Sequence, residues 1–476
     1  MSNLNVLSDR YASPAMNEIF SQMGRTVLER ELWIAVMEAE HLLGVPIPAE
    51  EIAKFRAAIN NFDFDFEREW ERTYRHDIKA KIKHFLRVAG AKEHIHRPMT
   101  SRDLSDNVEQ MQIKRACGII LGKYVSVLRH MIDKSLLYRD IFLTTRTHNV
   151  PAQLSTFGRR FSMWAEELLF HLTNFETFIK NYPLRGIKGP VGTQFDMLTL
   201  LGNKEKVEQL EWIIAEKLGF SKILHCTGQV YPRSLDYALA SQLALLSAAC
   251  SSFSWTMRLM SGYELATEGF KPGQVGSTAM PWKMNARTAE RTCGLSDVLK
   301  ADADGLSRIS GGQLQEGDVS CSVPRRVFTP DALYTSDGVC EATLTVLNEM
   351  GAYPAIIDRE IDRYLPYLAL TEILVLATQA GMGREKAHGI IREYSVAEAL
   401  KMRESGSMEN QLAENLAKDP EFMNAGITHE AIQQVLSERS HFVGNALEQI
   451  DYMAAQAREF IERYKEESLY EPLPIL

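Results

Sequence analysis

The chain has 476 residues, of which 45% are hydrophobic and 24% are charged. This balance supplies enough apolar surface for a large core and excludes a wholly disordered chain. Lys and Arg number 53 against 62 Asp and Glu, which gives a net charge of −9. Because contacts with phosphate backbones need a basic face, a chain this acidic is not expected to bind nucleic acid.

Cysteine usage and the absence of apolar runs predict a cytoplasmic protein. No two of the six cysteines have C-x-x-C spacing, so we expect neither a zinc ribbon nor another bound metal. Such scattered cysteines fit a reducing compartment. The first residues, MSNLNVLSDRYAS, lack the pattern of a signal peptide. No apolar run reaches the roughly 18 residues of a membrane span, so no membrane partner is expected.

Long proline-free stretches with helical periodicity predict a mainly helical fold, with no strand pattern competing strongly. The stretch between residues 106 and 139 is predicted to be one helix of about 30 residues, roughly 45 Å long. Helices of this length favour an elongated bundle over a compact globule. The other predicted long helices cover residues 28–43, 151–182, 233–265 and 286–309.

Three domains are predicted from the length and from the distribution of these helices. Residues 1–100 form an N-terminal helical domain with several turns. Residues 101–350 hold the long helices and a glycine-rich loop at 273–291. Residues 351–476 form a C-terminal domain of shorter helices.

The loop at 273–291, GQVGSTAMPWKMNARTAER, is the strongest candidate for chemistry. Its glycines are followed by adjacent hydroxyl groups at Ser277 and Thr278 and then by several cations. A flexible loop with cations close behind suits an anion that must be enclosed. The alternative is a surface loop leading into a helix with a basic first turn, and composition alone leaves both open.

Three further segments carry polar side chains that suit a site. His148, in Thr-His-Asn, is a candidate general acid near neutral pH, although a lone histidine is more often a satisfied polar residue. Residues 74–77, YRHD, by themselves indicate an exposed polar patch. In residues 99–103, MTSRD, Thr100 or Ser101 is expected to cap the next helix, which does not exclude contact with a ligand.

Residues 276–285, GSTAMPWKMN, resemble the signature GSSxMPxKxN of the fumarase/aspartase superfamily. Other segments resemble the adenylosuccinate lyase family within it, in the same order along the chain. The resemblance covers about residues 5–350, and the tail is similar only in helical character and length. The matching segments are RY at 10–11, RHD at 75–77, TS at 100–101, TH at 147–148, TGQ at 227–229 and EGDVSCSVPRR at 316–326.

This resemblance implies an all-α, three-domain fold whose central elongated helix bundle packs in a homotetramer with active sites shared between chains. It also implies a carbon–nitrogen lyase of purine biosynthesis, acting on small molecules. Such an enzyme releases fumarate from adenylosuccinate, giving AMP, and from the succinyl-carboxamide ribotide intermediate. A β-elimination needs a positioned base and a stabilised carboxylate intermediate, so no cofactor is expected.

The resemblance also assigns roles to individual residues. Ser277 matches the base, and His148 matches the acid that protonates the departing nitrogen. Glu290 matches the carboxylate partner of that acid. The catalytic positions are matched by Ser277, His148, His76, Lys283 and Glu290. The substrate-binding positions are matched by Arg10, Tyr11, Arg75, Asp77, Thr100, Ser101, Gln229, Asn285, Arg291, Ser322 and Arg326.

Three positions depart from the family pattern. Thr278 occupies the position of the second serine of the signature, and Ala286 occupies a position where most members have proline. Gly317 stands where many members have an arginine that helps to bind substrate. Because buried anions need charged partners, a replacement cation is expected. Arg325, a near neighbour in sequence without a family role, is the predicted replacement.

Alternative functions remain within the superfamily and beyond it. Argininosuccinate lyase and carboxymuconate cycloisomerase are the nearest catalytic alternatives, and the RHD, TGQ and SCS-V-x-R-R segments argue against both. A non-catalytic structural relative is the alternative of another class. Such a relative is expected to have lost Ser277 or His148, and both are present.

Overall fold

Helices dominate the computed structural model, which describes residues 5–474. The sequence-based prediction of an all-α fold is confirmed. The helices are α1 (Val6–Arg10), α2 (Pro14–Phe20), α3 (Gln22–Leu42), α4 (Ala49–Ala57), α5 (Phe64–Tyr74), α6 (Asp77–Ala89), α7 (Ser101–Leu137), α8 (Phe157–Asn181), α9 (Phe195–Leu201), α10 (Lys204–Lys217), α11 (Ser234–Gly262), α12 (Arg287–Ser307), α13 (Ser322–Glu349), α14 (Pro354–Leu368), α15 (Leu370–Gln379), α16 (Arg384–Ser405), α17 (Leu412–Ala417), α18 (Pro420–Asn424), α19 (His429–Ser437) and α20 (Ala446–Arg463). The strands are β1 (Phe142–Thr147), β2 (Val150–Thr156), β3 (Ala266–Thr267) and β4 (Gly351–Ala352).

An elongated bundle of α7, α8, α11, α12 and α13 forms the centre of the fold. Helix α7 has 37 residues, which corresponds to about 55 Å. It is buried on several sides, through residues such as Leu104, Val108, Tyr124 and Leu128. The prediction of one long helix between residues 106 and 139 is therefore confirmed.

The prediction that a helix starts at Pro151 is wrong for the first six residues. Strands β1 and β2 form an antiparallel hairpin instead, and α8 begins only at Phe157. His148 and Asn149 form its two-residue turn, with φ of 52° and 60°. The register shifts between Thr145 and Arg146, opposite Pro151, whose nitrogen has no hydrogen to donate.

The three-domain division stays a prediction, and we propose boundaries near residues 100 and 350. Helix α7 starts at Ser101 and α13 ends at Glu349. The third region is not independent of the second, because α20 packs back on α7 and α8. Strand β4 also pairs with β3, which lies at the end of α11.

No helix in residues 5–474 is both long enough and apolar enough to cross a membrane. Over the same residues, no group of three or more His, Cys, Asp or Glu side chains is arranged to hold a metal ion.

Buried charges fix two loops to the start of α7. The carboxylate of Asp103 is inaccessible to solvent and is ion-paired with Arg185. It also accepts hydrogen bonds from the backbone N–H groups of Thr100 (2.8 Å), Lys188 (2.9 Å) and Gly189 (3.1 Å). Arg185 in turn donates to the carbonyl of Gly228 at 3.0 Å.

Asp106, one turn further along α7, makes the second connection. Its carboxylate accepts hydrogen bonds from Arg233 (2.8 Å), the backbone N–H of Tyr231 (3.2 Å) and Arg102 (3.3 Å). The loop at 227–231 is therefore held to α7 at both of its ends. A buried carboxylate with this many donors is well satisfied, so its desolvation is offset.

We predict that Asp103→Asn destabilises the fold by about 3–5 kcal/mol, because it leaves the buried Arg185 without its charged partner. Urea unfolding followed by circular dichroism measures the change in midpoint. Asp297→Asn is the control, since Asp297 is 70% exposed and its one ion pair within residues 5–474 is with the surface Lys300. Equal midpoints for the two variants would show that the Asp103 pair adds no stability.

Candidate active site

The glycine-rich loop between β3 and α12 is closed by two contacts. Asn285 donates a side-chain hydrogen bond to the carbonyl of Gly276 at 2.9 Å. A Cβ atom on Gly276 would lie 2.1 Å from the carbonyl oxygen of Lys283, so only glycine fits there. Asn285 therefore shapes the loop from within. We call the close approach of Gly276 to Lys283 and Asn285 the closed neck, and Ser277 follows it directly.

Ser277 lies among backbone donors. Its Oγ accepts hydrogen bonds from the N–H groups of Met280 (3.1 Å) and Ala279 (3.3 Å). Donors aimed at this oxygen stabilise negative charge on it, which favours its action as a base. Lys283 is exposed, and among the described residues it forms no ion pair.

Large apolar side chains on this loop point to solvent in the isolated chain. Trp282 is 78% exposed, Val275 is 65% and Met284 is 55%. A cluster of exposed apolar side chains on a polar loop is typical of a surface that another element covers. The loop therefore has a face suited to closure or to contact with another chain.

The start of α12 carries the two family residues that follow the loop. Glu268 accepts hydrogen bonds from the N–H groups of Thr288 (3.0 Å) and Ala289 (2.9 Å), and burial raises its pKa. Glu290 is exposed and Arg291 is half-buried. A polar cavity of about 470 Å³ lies beside them, lined among others by Lys271, Gln274, Arg287, Arg291 and Asn348.

His148 projects from the turn of the β1–β2 hairpin and is exposed. The neighbouring Asn149 donates a hydrogen bond to the hydroxyl of Tyr263 at 3.2 Å. Arg146 stacks over the ring of Tyr263 and pairs with Glu360 of α14. The hairpin is thus attached near the C-terminal end of α11.

The predicted pair of His148 and Glu290 is not formed within one chain. Neither side chain makes a hydrogen bond or an ion pair with the other in residues 5–474. Both are exposed, so each is open to a partner from another chain.

A second group of family residues gathers at the start of α7. Thr100 caps α7 in a capping box with Asp103, and Ser101 is its first residue. The backbone N–H of Gln229 donates to the carbonyl of Glu316 at 2.6 Å, which joins the TGQ loop to the segment before α13.

Ser322 is the first residue of α13, and Arg326 follows one turn later on the same face. Ser322 is buried, and Arg326 is exposed. They lie just beyond the segment that holds Glu316. We call Thr100, Ser101, Gln229, Ser322 and Arg326 the α7 group.

The RHD segment lies between α5 and α6. Arg75 ends α5 in the left-handed region with φ of 52°. His76 caps α6 by accepting a hydrogen bond from the N–H of Lys79 at 3.4 Å, and its ring lies 3.8 Å from the carboxylate of Asp77. His96, whose pKa burial lowers to about 4, also feels the charges of Asp103 and His76. His76 and Asp103 therefore both lie within electrostatic range of His96.

Arg10 and Tyr11 lie elsewhere on the bundle. A Cβ atom on Gly338 of α13 would meet the Cβ of Tyr11 at 2.9 Å and a methyl group of Leu295 on α12 at 3.4 Å. This pair therefore packs beside the middle of α12 and α13. Arg10 is exposed and Tyr11 is half-buried.

The long helices keep the predicted site residues apart within one chain. Helix α7 separates Thr100 from the hairpin of His148 by about 55 Å. Helix α11, with 29 residues, separates Gln229 from the loop of Ser277 by about 43 Å. A single chain therefore does not gather all these residues into one site.

The structure contradicts the predicted role of Arg325. Its side chain is only 2% exposed, and its guanidinium is paired with Glu109 of α7. Burial lowers its pKa to about 10. Arg325 is thus part of an internal ion pair and does not open onto the α7 group.

Sequence reasoning missed the residues that hold the α7 group together. Asp103 and Asp106 have no predicted role in the site, and the arginines that pair with them are 82 and 127 residues away in sequence. The available signal was the presence of several charged residues in the first turns of a helix that is otherwise apolar. Their partners, Arg185 and Arg233, are visible only in three dimensions.

Comparison with known proteins identifies the family of the chain. A family model described as "Lyase" matches residues 10–298, and a second, "Adenylosuccinate lyase C-terminus", matches residues 368–453. The first defines the class, a helical lyase.

Full-length relatives define the family more narrowly. Adenylosuccinate lyase of Schistosoma mansoni is 30% identical over 468 residues, covering 97% of this chain and 96% of that protein. Adenylosuccinate lyase of Saccharomyces cerevisiae is 33% identical over 450 residues, covering 94% of this chain and 92% of that protein. The chain belongs to the adenylosuccinate lyase family.

Solved structures support the fold alone. The 3-carboxy-cis,cis-muconate lactonizing enzyme from Pseudomonas putida has a TM-score of 0.83 at 20% identity, covering 96% of this chain and 100% of that chain. A fumarate lyase from Mesorhizobium has a TM-score of 0.76 at 18% identity, covering 94% and 98%.

We predict that Gly276→Ala lowers kcat at least tenfold, because its Cβ would collide with the Lys283 carbonyl and displace Ser277 from its donors. Steady-state kinetics with adenylosuccinate measure the loss. Gly294→Ala is the control, since a Cβ atom there meets nothing within 4 Å. Equal kcat values in the two variants would show that the closed neck is not needed for activity.

Proposed function

We propose that the protein is an adenylosuccinate lyase, which releases fumarate from adenylosuccinate and from succinyl-aminoimidazole-carboxamide ribotide. The observation that carries this proposal is the closed loop that holds Ser277 among backbone donors within the family signature. Relatives of that name that align with more than nine-tenths of the chain support it.

In the proposed reaction, Ser277 removes a proton from the carbon next to a carboxylate of the succinyl group. The N–H groups of Ala279 and Met280 stabilise the serine oxygen before this step. Lys283 is proposed to bind the succinyl carboxylate, which becomes more negative as the proton leaves. Closure of the loop excludes water and strengthens these interactions.

The carbon–nitrogen bond then breaks, and His148 is proposed to protonate the departing nitrogen. Glu290 would orient the histidine ring and support its charged form. His76, Arg75, Asp77, Arg10, Tyr11, Arg291 and the α7 group are proposed to bind the remainder of the substrate. Proton transfer and charge stabilisation complete the elimination without a further reactant.

We propose that the active enzyme is a homotetramer whose sites combine several chains. The separations of about 43 and 55 Å along α11 and α7 support this, because rigid helices cannot bring their two ends together. Helix α11 also carries an apolar stripe in which Tyr237, Leu245, Trp255 and Leu259 are 41–52% exposed. At 100° per residue these four lie within an arc of about 80°, as expected for a helix–helix interface.

We also propose a cytoplasmic location. All six cysteines are free thiols in the described chain, and five of them are buried. Unpaired cysteines in a chain of this size fit a reducing compartment.

The activity is tested by the fall in adenylosuccinate absorbance, with argininosuccinate and carboxymuconate as control substrates. Turnover of adenylosuccinate alone is expected. Turnover of carboxymuconate instead would favour the cycloisomerase alternative, and no turnover of any of the three would favour a non-catalytic relative.

Ser277→Ala is expected to lower kcat by several orders of magnitude while substrate still binds, because only the proton-transfer group is lost. Calorimetry measures binding, and single-turnover kinetics measure the chemical step. Thr278→Ala is the matched control, one residue away on the same loop. If Ser277→Ala abolishes binding in a folded protein, the serine is a binding residue and not the base.

Two inactive variants are expected to restore activity when their subunits mix. Ser277→Ala and His148→Gln chains assembled together form some sites that contain neither defect, provided that the two segments come from different chains. Activity after mixing measures this, and light scattering measures the assembled mass. No recovery despite proven exchange of subunits would count against composite sites, as would a monomeric mass for the active enzyme.

A further inference from the structure

We propose that Arg102 supplies the cation that binds the substrate phosphate in the α7 group, in place of a side chain at position 317. The inference rests on the proposed function, because the phosphate belongs to a succinylated nucleotide. It concerns a residue outside the family motifs described above. Five observations support it.

Arg102 lies in the first turn of α7, directly after Thr100 and Ser101. It makes one hydrogen bond, from Nη1 to Asp106 at 3.3 Å, and its side chain is 11% exposed. A guanidinium has five donor hydrogens in a fixed plane, so most of its donors are free for a ligand. Arg102 therefore follows two residues of the α7 group in sequence and keeps most of its donors free.

The ion pair with Asp106 does not by itself explain why an arginine is present at position 102. The carboxylate of Asp106 already accepts hydrogen bonds from Arg233 at 2.8 Å and from the N–H of Tyr231 at 3.2 Å. A cation in the first turn of a long helix is also opposed by the helix dipole, whose positive end lies there. An anion bound at this end would offset the unfavourable interaction between Arg102 and the helix dipole, since helix N-termini favour phosphate groups.

Arg102 lies among other arginines. Burial lowers the pKa of Arg325 most, the carboxylate of Asp106 opposes this shift, and the positive charges of Arg102, Arg326 and Arg25 add to it, so these groups lie within electrostatic range of Arg325. Arg325 and Arg25 have carboxylate partners in Glu109 and Glu29. Arg326 forms no ion pair in the described part of the chain, so it and Arg102 are the cations open to a ligand.

Asp318 is a second anion near Arg102, and its carboxylate already accepts hydrogen bonds from other groups. Its carboxylate accepts hydrogen bonds from Ser320 and from the backbone N–H of Leu314 at 3.1 Å. The Ser320 hydroxyl is the main cause that lowers its pKa, and Arg102 adds to the effect. Asp318 therefore has its own hydrogen-bond donors and is not a dedicated partner of Arg102.

The backbone at Gly317 disfavours any side chain there. Its φ is +152°, and a Cβ atom would lie 3.1 Å from the Cβ of Gln229. Both features disfavour an arginine at this position. Because a phosphate dianion in a half-buried site needs a charged donor, the cation must come from another element. Arg102 is near enough in the fold, because its partner Asp106 also binds the N–H of Tyr231, two residues after Gln229.

The test compares inhibition by AMP, which carries the phosphate, with inhibition by adenosine, which does not. In Arg102→Ala, the KM for adenylosuccinate and the Ki for AMP are expected to rise about ten- to hundredfold, as for loss of a hydrogen bond to a charged group. The Ki for adenosine and the kcat should change less than threefold. Arg102→Lys should recover part of the AMP affinity.

Two further variants separate binding from folding. Arg115→Ala removes a cation from the exposed side of the same helix, where Arg115 pairs with Glu31, and should leave both Ki values unchanged. Arg102→Gln keeps a donor for Asp106 without the charge, so it tests the phosphate contact if the alanine variant does not fold.

Equal weakening of AMP and adenosine, or unchanged AMP binding, would overturn the role of Arg102. Direct calorimetric titration of AMP separates this from the proposed function. If the wild-type protein binds AMP but does not turn over adenylosuccinate, the function fails. If the wild-type enzyme turns over substrate and Arg102→Gln binds AMP normally, only the role of Arg102 fails.

Discussion

The buried ion pair between Asp103 and Arg185 is the interaction on which the candidate site depends. Both side chains are inaccessible to solvent, so removal of either charge leaves the other unpaired in the protein interior. The same carboxylate caps α7 through Thr100 and holds the N–H groups at 188–189. One charge therefore connects a helix cap, a buried loop and, through Arg185, the TGQ loop.

The candidate residues divide into two sets with different mechanical properties. The α7 group rests on buried, charge-paired elements and is held in place before substrate arrives. Ser277 lies on a loop whose own contacts are local and whose apolar tip, with Trp282 and Val275, faces solvent. A firmly held set of polar residues beside a loop with only local contacts would suit the proposed reaction, in which water must be excluded after the substrate is bound.

The sequence predicted the long helices and the signature loop because both depend on local pattern: proline spacing, helical periodicity and a specific motif. The β1–β2 hairpin was missed because Pro151 is also a favourable first residue for a helix. The role given to Arg325 was wrong because nearness in sequence says little about burial, and Glu109 lies more than two hundred residues away. Non-local charge pairs of this kind are decided by packing.

The length of α7 has a consequence for how this protein tolerates change. A rigid helix of 37 residues fixes both the distance and the relative rotation of its two ends. Adding or removing one residue in its middle would shift one end by about 1.5 Å and turn it by about 100°. Length variation should therefore be absorbed in the connecting loops, while the length of α7 keeps the distance between its two ends constant.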